Sequence, residues 1–170
     1  MSDNERRIAS RTICNRVIAS RDFRAATYVG LYLPMRDEVD PSEIIERAWR
    51  ANKRVFCPVV GKNGQMNFHH LGRNTTLLRN QFGIWEPINN ETISPRQLNL
   101  VVTPLVAFDA DNNRIGMGGG YFDRCFEFLR YRKNWLQPKL MGVAFACQQV
   151  EKIAPNPWDI RLYSIYSDAE

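Results

Sequence analysis

The most constraining feature of the sequence is a strand–helix–strand pattern in its first third. The run TYVGLYL at 27–33 is apolar and rich in aromatic and β-branched residues, which predicts a strand buried on both faces. A helix is expected to begin at Asp40, a good N-cap residue, with Pro41 in the first helical position. The run RVFCPVV at 54–60 predicts the next strand. Because two strands joined in this way lie parallel with a right-handed crossover, the pattern predicts an α/β fold.

The remaining segments extend this pattern over the whole chain. Residues 22–26 are expected to form a turn, and residues 71–97, rich in Asn, Gly and Pro, an irregular segment without a strong period. A length of 170 residues suits one domain. We therefore predict a single three-layer α/β domain over residues 1–170, with a mostly parallel central sheet flanked by helices. Further helices are predicted at about 4–20 and 123–131, and further strands at 66–70, 98–104, 140–146 and 162–166.

Composition and charge narrow the possible functions. No apolar run approaches the roughly 20 residues that cross a bilayer, and the first ten residues lack the apolar core of a signal peptide, so we expect a cytoplasmic protein without a membrane partner. The formal net charge of +5 suits an anionic ligand. The basic residues are dispersed and not interleaved with aromatic residues, which argues against a nucleic-acid partner without excluding one. The four scattered cysteines, without a CxxC pair, are typical of reduced thiols.

A glycine-rich segment, IGMGGGYFD at 115–123, lies between a predicted strand and a predicted helix. Ligands of open α/β sheets bind beyond the carboxyl ends of the strands. Backbone N–H groups of such a loop, followed by a helix N-terminus, can bind a phosphate. The segment fits neither common phosphate fingerprint, since Tyr121 stands where GxGxxG requires glycine and no Lys-Ser/Thr pair follows. On glycine content alone, a phosphate loop and a simple turn are equally supported.

The flanking residues favour the phosphate loop. The run TPLVAFDADNNRIGMGGGYFDR at 103–124 resembles the signature of the 5-formyltetrahydrofolate cyclo-ligases, also called 5,10-methenyltetrahydrofolate synthetases. The resemblance extends over nearly the whole chain, through LYLPMRDEVD, KRVFCPVV, FGIWEP and VEKIAPNPWDI in the same order. It implies an enzyme that uses ATP and Mg²⁺ to convert 5-formyltetrahydrofolate to 5,10-methenyltetrahydrofolate, through a phosphorylated formyl group, with release of ADP and phosphate. A monomer whose partners are these small molecules is expected.

The resemblance assigns the glycine segment to ATP. Arg114 is expected to act in catalysis by supplying a fixed positive charge to the phosphates. Asp123 is expected to bind Mg²⁺, for which a carboxylate is a suitable hard ligand, although an acid here is also typical of the first turn of a helix. The backbone contacts to ATP are expected from Gly116, Met117, Gly118, Gly119, Gly120 and Tyr121.

The resemblance places folate beside the end of the first strand. Glu38 matches the family's acidic residue that faces the formyl group and N10, and it is expected to act in catalysis. Folate has flat rings that need apolar walls. Met35, Phe82 and Trp85 are the candidates for these walls, and minor packing under a long loop is the equally supported alternative for each.

One departure from the family leaves a second function open. Many members begin with an additional basic helix that reaches the ATP phosphates, and only Arg6 and Arg7 stand near the corresponding place here. The alternatives are therefore an active cyclo-ligase and a catalytically weak member that binds folate or nucleotide without turnover.

Overall fold

A seven-stranded sheet organises the chain in the computed structural model, which describes residues 1–133 and 137–169. The helices are α1 Asp3–Ala19, α2 Arg21–Ala25, α3 Ser42–Arg50 and α4 Tyr121–Cys125, with short 3-10 helices at Pro95–Gln97, Glu127–Tyr131 and Ala146–Gln148. The strands are β1 Tyr28–Leu31, β2 Arg54–Val60, β3 Met66–His70, β4 Leu77–Arg79, β5 Trp85–Pro87, β6 Thr92–Ile93, β7 Leu100–Pro104, β8 Ala107–Phe108, β9 Arg114–Ile115, β10 Lys139–Val143 and β11 Ser164–Tyr166.

The order of strands in the main sheet is β11-β10-β7-β1-β2-β3-β6. The five strands β11, β10, β7, β1 and β2 are parallel, whereas β3 and β6 are antiparallel additions at one edge. This topology confirms the predicted α/β class with a mostly parallel sheet. The chain leaves β1 toward β2 on one side and later returns to β7 on the other, so the strand order reverses at the β1–β7 pair. A crevice beyond the carboxyl ends of such a pair is the usual ligand site of this type of sheet.

Alternate residues of the central strands face two separate cores. Leu100 and Val102 of β7 pack on one face with residues of α1 and α3. Val101, which lies between them, packs on the opposite face with Phe126, just after α4. Since successive side chains of a strand point to opposite faces, a strand covered on both sides must be apolar throughout. Strand β7 is therefore apolar because it is buried on both faces.

The structure corrects the expectation of a turn at 22–26. Residues 21–25 form α2, whose first turn is capped because the Ser20 side chain accepts a hydrogen bond from the Phe23 backbone N–H. The buried ring of Phe23 holds this short helix against the core. The expected N-cap at Asp40 is also displaced, since α3 begins at Ser42 after Pro41. The Asp40 carboxylate still accepts a hydrogen bond from the Ser42 N–H at 2.9 Å.

Three other segments also differ from the expectation. Residues 71–97 contain the strands β4, β5 and β6, which have two or three residues each and are too short to produce a periodic pattern. The helix expected at 123–131 is divided into α4 and a 3-10 helix, and the strand expected at 140–146 ends at residue 143. In the part of the chain that the structure describes, no helix is long and apolar enough to span a membrane.

Phe126 anchors the segment after the glycine loop to the sheet. Its ring is fully buried and lies against the rings of Phe68, Phe122 and Phe128. We expect Phe126→Ala to lower the free energy of unfolding by about 3–5 kcal/mol, because it leaves a cavity under the loop. Urea unfolding of both proteins measures this. Phe82→Ala is the matched control, since this exposed ring should change stability by less than about 0.5 kcal/mol. Equal effects of the two substitutions would contradict the packing argument.

Candidate active site

The glycine loop begins at the carboxyl edge of the sheet. After β7 the chain forms the β8–β9 hairpin and then passes through residues 116–120 into α4. The loop therefore follows the strand that pairs with β1, at the point where the strand order reverses. This is the position predicted for a ligand loop. Because α4 has only five residues, the expected contribution of a helix N-terminus is small, and the backbone of the loop itself provides the donors.

Glycine is required at particular points of this loop. Gly118 and Gly120 have φ values of +94° and +63°, which side-chain-bearing residues rarely adopt. Gly119 is restricted for a different reason, because a Cβ atom there would lie 2.4 Å from Cε2 of Tyr121. The ring of Tyr121 thus folds back against the loop. The glycines set the course of the backbone, and at Gly116 and Gly118 no other group would lie within 4 Å of an added Cβ atom.

A cavity of about 980 Å³ opens beside the loop. One wall is the glycine loop with the start of α4, and the opposite wall is the segment 150–159. Four basic side chains line the cavity with three acidic ones. The charged lining residues are Arg114, Arg124, Arg130, Lys152, Asp123, Glu127 and Asp159.

Arg114 and Asp123 form a buried pair behind the loop. The Arg114 side chain is only 5% exposed and donates from Nη2 to Asp123 Oδ1 at 3.1 Å and from Nη1 to the Ile160 carbonyl at 2.6 Å. The same Asp123 oxygen accepts the Ile160 backbone N–H at 2.9 Å. A buried guanidinium and carboxylate compensate each other's lost hydration only when both are well bonded. The pair therefore fixes the start of α4 against the opposite wall.

Asp109 connects the β8–β9 hairpin to Ile153, which belongs to the second wall of the cavity (150–159). This carboxylate is 2% exposed and accepts four hydrogen bonds, from the side-chain amide and backbone N–H of Asn113 and from the backbone N–H groups of Asp111 and Ile153, all at 2.9–3.0 Å. These bonds, led by that of the Asn113 side chain, lower the pKa of Asp109 from 3.8 to about 2. Asp109 is consequently charged at neutral pH and holds residue 153 in place.

Glu38 lies in the loop after β1, the strand next to β7. Its Oε2 accepts the Met35 backbone N–H at 2.8 Å. Burial raises the pKa of this carboxyl group, and the Met35 hydrogen bond only partly offsets the effect. A partly buried acid with a raised pKa at a ligand edge is suited to proton transfer.

The predicted folate residues lie on the β4–β5 hairpin and in the loop after β1. Phe82 is 67% exposed in the turn between β4 and β5, and Trp85 begins β5, which packs against β2. Met35 is also exposed, in the loop that carries Glu38. The exposed rings of Phe82 and Trp85 and the exposed thioether side chain of Met35 are apolar surface. None of these three residues nor Glu38 is among the residues that line the cavity.

The structure thus brings together only part of the predicted site. Of the predicted ATP residues, the described lining of the cavity includes all except Met117 and Tyr121. Met117 is 69% exposed on the outside of the loop, and the Tyr121 ring lies against Gly119.

The residues of the second wall, segment 150–159, were not predicted from the sequence. Lys152, Trp158 and Asp159 lie in a segment with almost no regular structure, so no periodic pattern marked them. The only signal was the run VEKIAPNPWDI, which resembled the family as a segment and assigned no role to any residue.

The carboxylates of the cavity are suited to Mg²⁺. Within 1–133 and 137–169 there is no group of three or more His, Cys, Asp or Glu residues placed to hold a metal ion. Asp123 and Asp159 nevertheless line the same cavity. Mg²⁺ typically binds through one or two carboxylates together with substrate phosphates and water, so this donor set fits the ion.

Comparisons with known proteins agree on one family. A model described as the 5-formyltetrahydrofolate cyclo-ligase family matches residues 1–168. A 5-formyltetrahydrofolate cyclo-ligase from Haemophilus influenzae is 34% identical over 164 residues, which cover 92% of this chain and 84% of that protein. One from Escherichia coli K12 is 35% identical over 148 residues, covering 84% and 78%.

Two solved structures are similar to this chain over its whole length. The 5,10-methenyltetrahydrofolate synthetase of Aquifex aeolicus has a TM-score of 0.84 at 26% identity, covering 100% of this chain and 83% of that one. The synthetase of Mycoplasma pneumoniae has a TM-score of 0.76 at 26% identity, covering 99% and 90%.

The lowered pKa of Asp109 makes stability depend on pH in a defined window. A carboxyl group whose pKa falls on folding stabilises the protein above its unfolded pKa, and this contribution is lost as the pH falls from about 4 towards about 2. We expect Asp109→Asn to lower the free energy of unfolding at pH 7 and to flatten its dependence on pH between 4 and 2. Denaturant unfolding at several pH values measures both. Asp111→Asn, at an exposed acid two residues away, should retain the wild-type slope. An unchanged slope in Asp109→Asn would refute the assignment.

Proposed function

Because the chain belongs to the 5-formyltetrahydrofolate cyclo-ligase family, we propose that it closes 5-formyltetrahydrofolate to 5,10-methenyltetrahydrofolate with ATP and Mg²⁺, in the cavity beside the glycine loop. Family membership makes the chain an enzyme, a ligase of folate one-carbon metabolism. The observation that carries the ATP part of the proposal is the cavity itself. It combines a glycine backbone without Cβ atoms, four basic side chains and three carboxylates at the β1–β7 reversal point.

The reaction needs a leaving group on the formyl carbon. A formamide is a poor electrophile, and transfer of the γ-phosphoryl group of ATP to the formyl oxygen, with loss of ADP, activates it. N10 then attacks the formyl carbon and loses its proton, and the C–O bond breaks as phosphate leaves. The protein must hold the triphosphate in line with the formyl oxygen and offset the charge that develops there.

The glycine loop and basic side chains serve the triphosphate in this proposal. Backbone N–H groups of Gly118 and Gly120 can approach phosphate oxygens closely because neither residue carries a Cβ atom. Arg130 and Lys152 add positive charge from the same cavity. Asp123 and Asp159 would hold Mg²⁺, which would supply positive charge against the phosphates. Arg114 acts mainly through Asp123, since its guanidinium is bonded to that carboxylate and to the opposite wall.

Folate is assigned to the adjoining edge. Phe82, Trp85 and Met35 supply the apolar surface for the pterin and benzoyl rings. Glu38 orients the formyl end of the substrate and takes the N10 proton, for which its raised pKa is suited. The two substrates thereby approach one another from the ends of β7 and β1, which are adjacent strands.

The direct test is a magnesium titration of methenyl formation, followed by absorbance with and without ATP. We expect wild-type turnover to require both ATP and Mg²⁺. Asp123→Asn should raise the Mg²⁺ concentration for half-maximal rate at least about tenfold, because one charged ligand is lost. The asparagine oxygen can still accept both the Ile160 N–H and the Arg114 Nη2 hydrogen bond, although the ion pair is lost, and circular dichroism checks that the variant is folded. Asp111→Asn is the control acid outside the cavity. Binding of ATP without turnover would favour the weak-member alternative, and identical magnesium curves would remove Asp123 from the metal site.

The Glu38 assignment predicts a specific pH profile. As the active base, Glu38 must be ionised, so the rate should fall as the pH drops through its raised pKa. Glu38→Gln should lower kcat by about 10²–10⁴ and abolish this acidic limb, while folate binding changes little. Asp37→Asn, at the exposed neighbouring acid, should keep both kcat and the limb. A kcat within a few-fold of wild type in Glu38→Gln would make Glu38 an ordinary loop acid.

A further inference from the structure

The side chains of Arg124 and Tyr121 both contact the glycine loop at Gly119. Arg124 Nη1 donates a hydrogen bond to the Gly119 carbonyl at 2.8 Å. The guanidinium carbon lies 5.0 Å from the centre of the Tyr121 ring, and that ring packs against Gly119. The same Nη1 atom would be 3.0 Å from a Cβ atom at Gly120. One arginine therefore contacts Gly119 of the loop and Tyr121 at the start of α4.

The hydrogen bond to Gly119 fixes the orientation of the next peptide group. In a trans peptide the carbonyl of one residue and the N–H of the following residue point in opposite directions. When Arg124 holds the Gly119 carbonyl, the Gly120 N–H must point away from the Arg124 guanidinium. Glycine backbones otherwise sample many conformations, so an uncovered loop of this kind needs an external contact to keep its donors aligned. The stacked ring adds a second contact that limits rotation of the arginine.

We propose that Arg124 is a positioning residue that holds the glycine loop in its phosphate-binding shape. It acts on the loop backbone, whereas Arg130 and Lys152 serve the phosphates directly. This inference rests on the proposed function, because it assumes that the loop amides bind the ATP phosphates. It predicts an effect on the loop in the absence of any ligand, which a direct phosphate contact would not produce.

Arg124→Ala should therefore change the glycine loop even when no nucleotide is bound. We expect faster amide hydrogen exchange at Gly119, Gly120 and Tyr121 without nucleotide, and an increase of about tenfold in the KM for ATP, the usual scale for one hydrogen bond to a charged group. The KM for 5-formyltetrahydrofolate should not change. Arg124→Lys should restore part of both effects, because an ammonium group can still donate to the Gly119 carbonyl.

Arg96→Ala is the matched control. This arginine is exposed and stacks at 4.4 Å on Phe128, and it lines a separate depression that also includes Arg124. The Arg96→Ala substitution removes one positive charge from the same region, and Arg96 does not contact the glycine loop. We expect wild-type loop exchange and a wild-type KM for ATP in this variant. Thermal melts of all three variants establish that each is folded, as expected for exposed positions.

The outcomes separate this inference from the proposed function. Unchanged amide exchange of the loop in Arg124→Ala would overturn the positioning role of Arg124. If the KM for ATP rose while the exchange stayed unchanged, Arg124 would be a direct phosphate ligand. An equal rise of the KM in Arg96→Ala would also overturn it, as a general charge effect. Failure of the wild-type protein to bind ATP would overturn the proposed function, whether or not the exchange at the loop responds.

Discussion

Parallel pairing of β1 with β7 is the constraint on which the candidate site depends. The register joins Val29 to Leu100 and Leu31 to Val102, residues that are about 70 positions apart in the sequence. This pairing puts the loop after β1, which carries Glu38, beside the hairpin and glycine loop that follow β7. Because the side chains of both strands are buried on two faces, a shift of one residue would exchange the two cores. The position of the site is therefore fixed by packing of the sheet.

The second wall of the cavity depends on buried charges. The segment 149–162 contains almost no regular secondary structure. It is attached to the rest of the molecule by the hydrogen bonds of Asp109 to Ile153 and of Arg114 to Ile160. A buried ion that loses its partner is costly, so these contacts must form together. The wall can remain irregular, as a ligand-binding surface often is, while the strands beneath it supply rigidity.

The two proposed substrates need different surfaces, and these two surfaces lie on opposite sides of β1. The charged cavity lies after β7, whereas the exposed apolar side chains Phe82 and Trp85 lie on the β4–β5 hairpin against β2. Between them stands β1, with Glu38 at its end. A triphosphate requires charge and open backbone, and a pterin requires flat apolar contact. Placing these on either side of one strand allows the reacting atoms to meet at its end.

The sequence by itself determined the elements whose signals are local. Continuous apolar runs at 27–33 and 54–60 predicted buried parallel strands, and the glycines at 116–120 marked a loop that only such residues can form at Gly118 and Gly120. Tertiary structure alone decided the pairing of Arg114 with Asp123, the attachment of residue 153 to Asp109 and the entry of Asp159 into the cavity. These features depend on single side chains, and the contact of Asp109 with residue 153 joins positions 44 residues apart. No periodicity or spacing encodes them, because their geometry exists only once the sheet has brought its strand ends together.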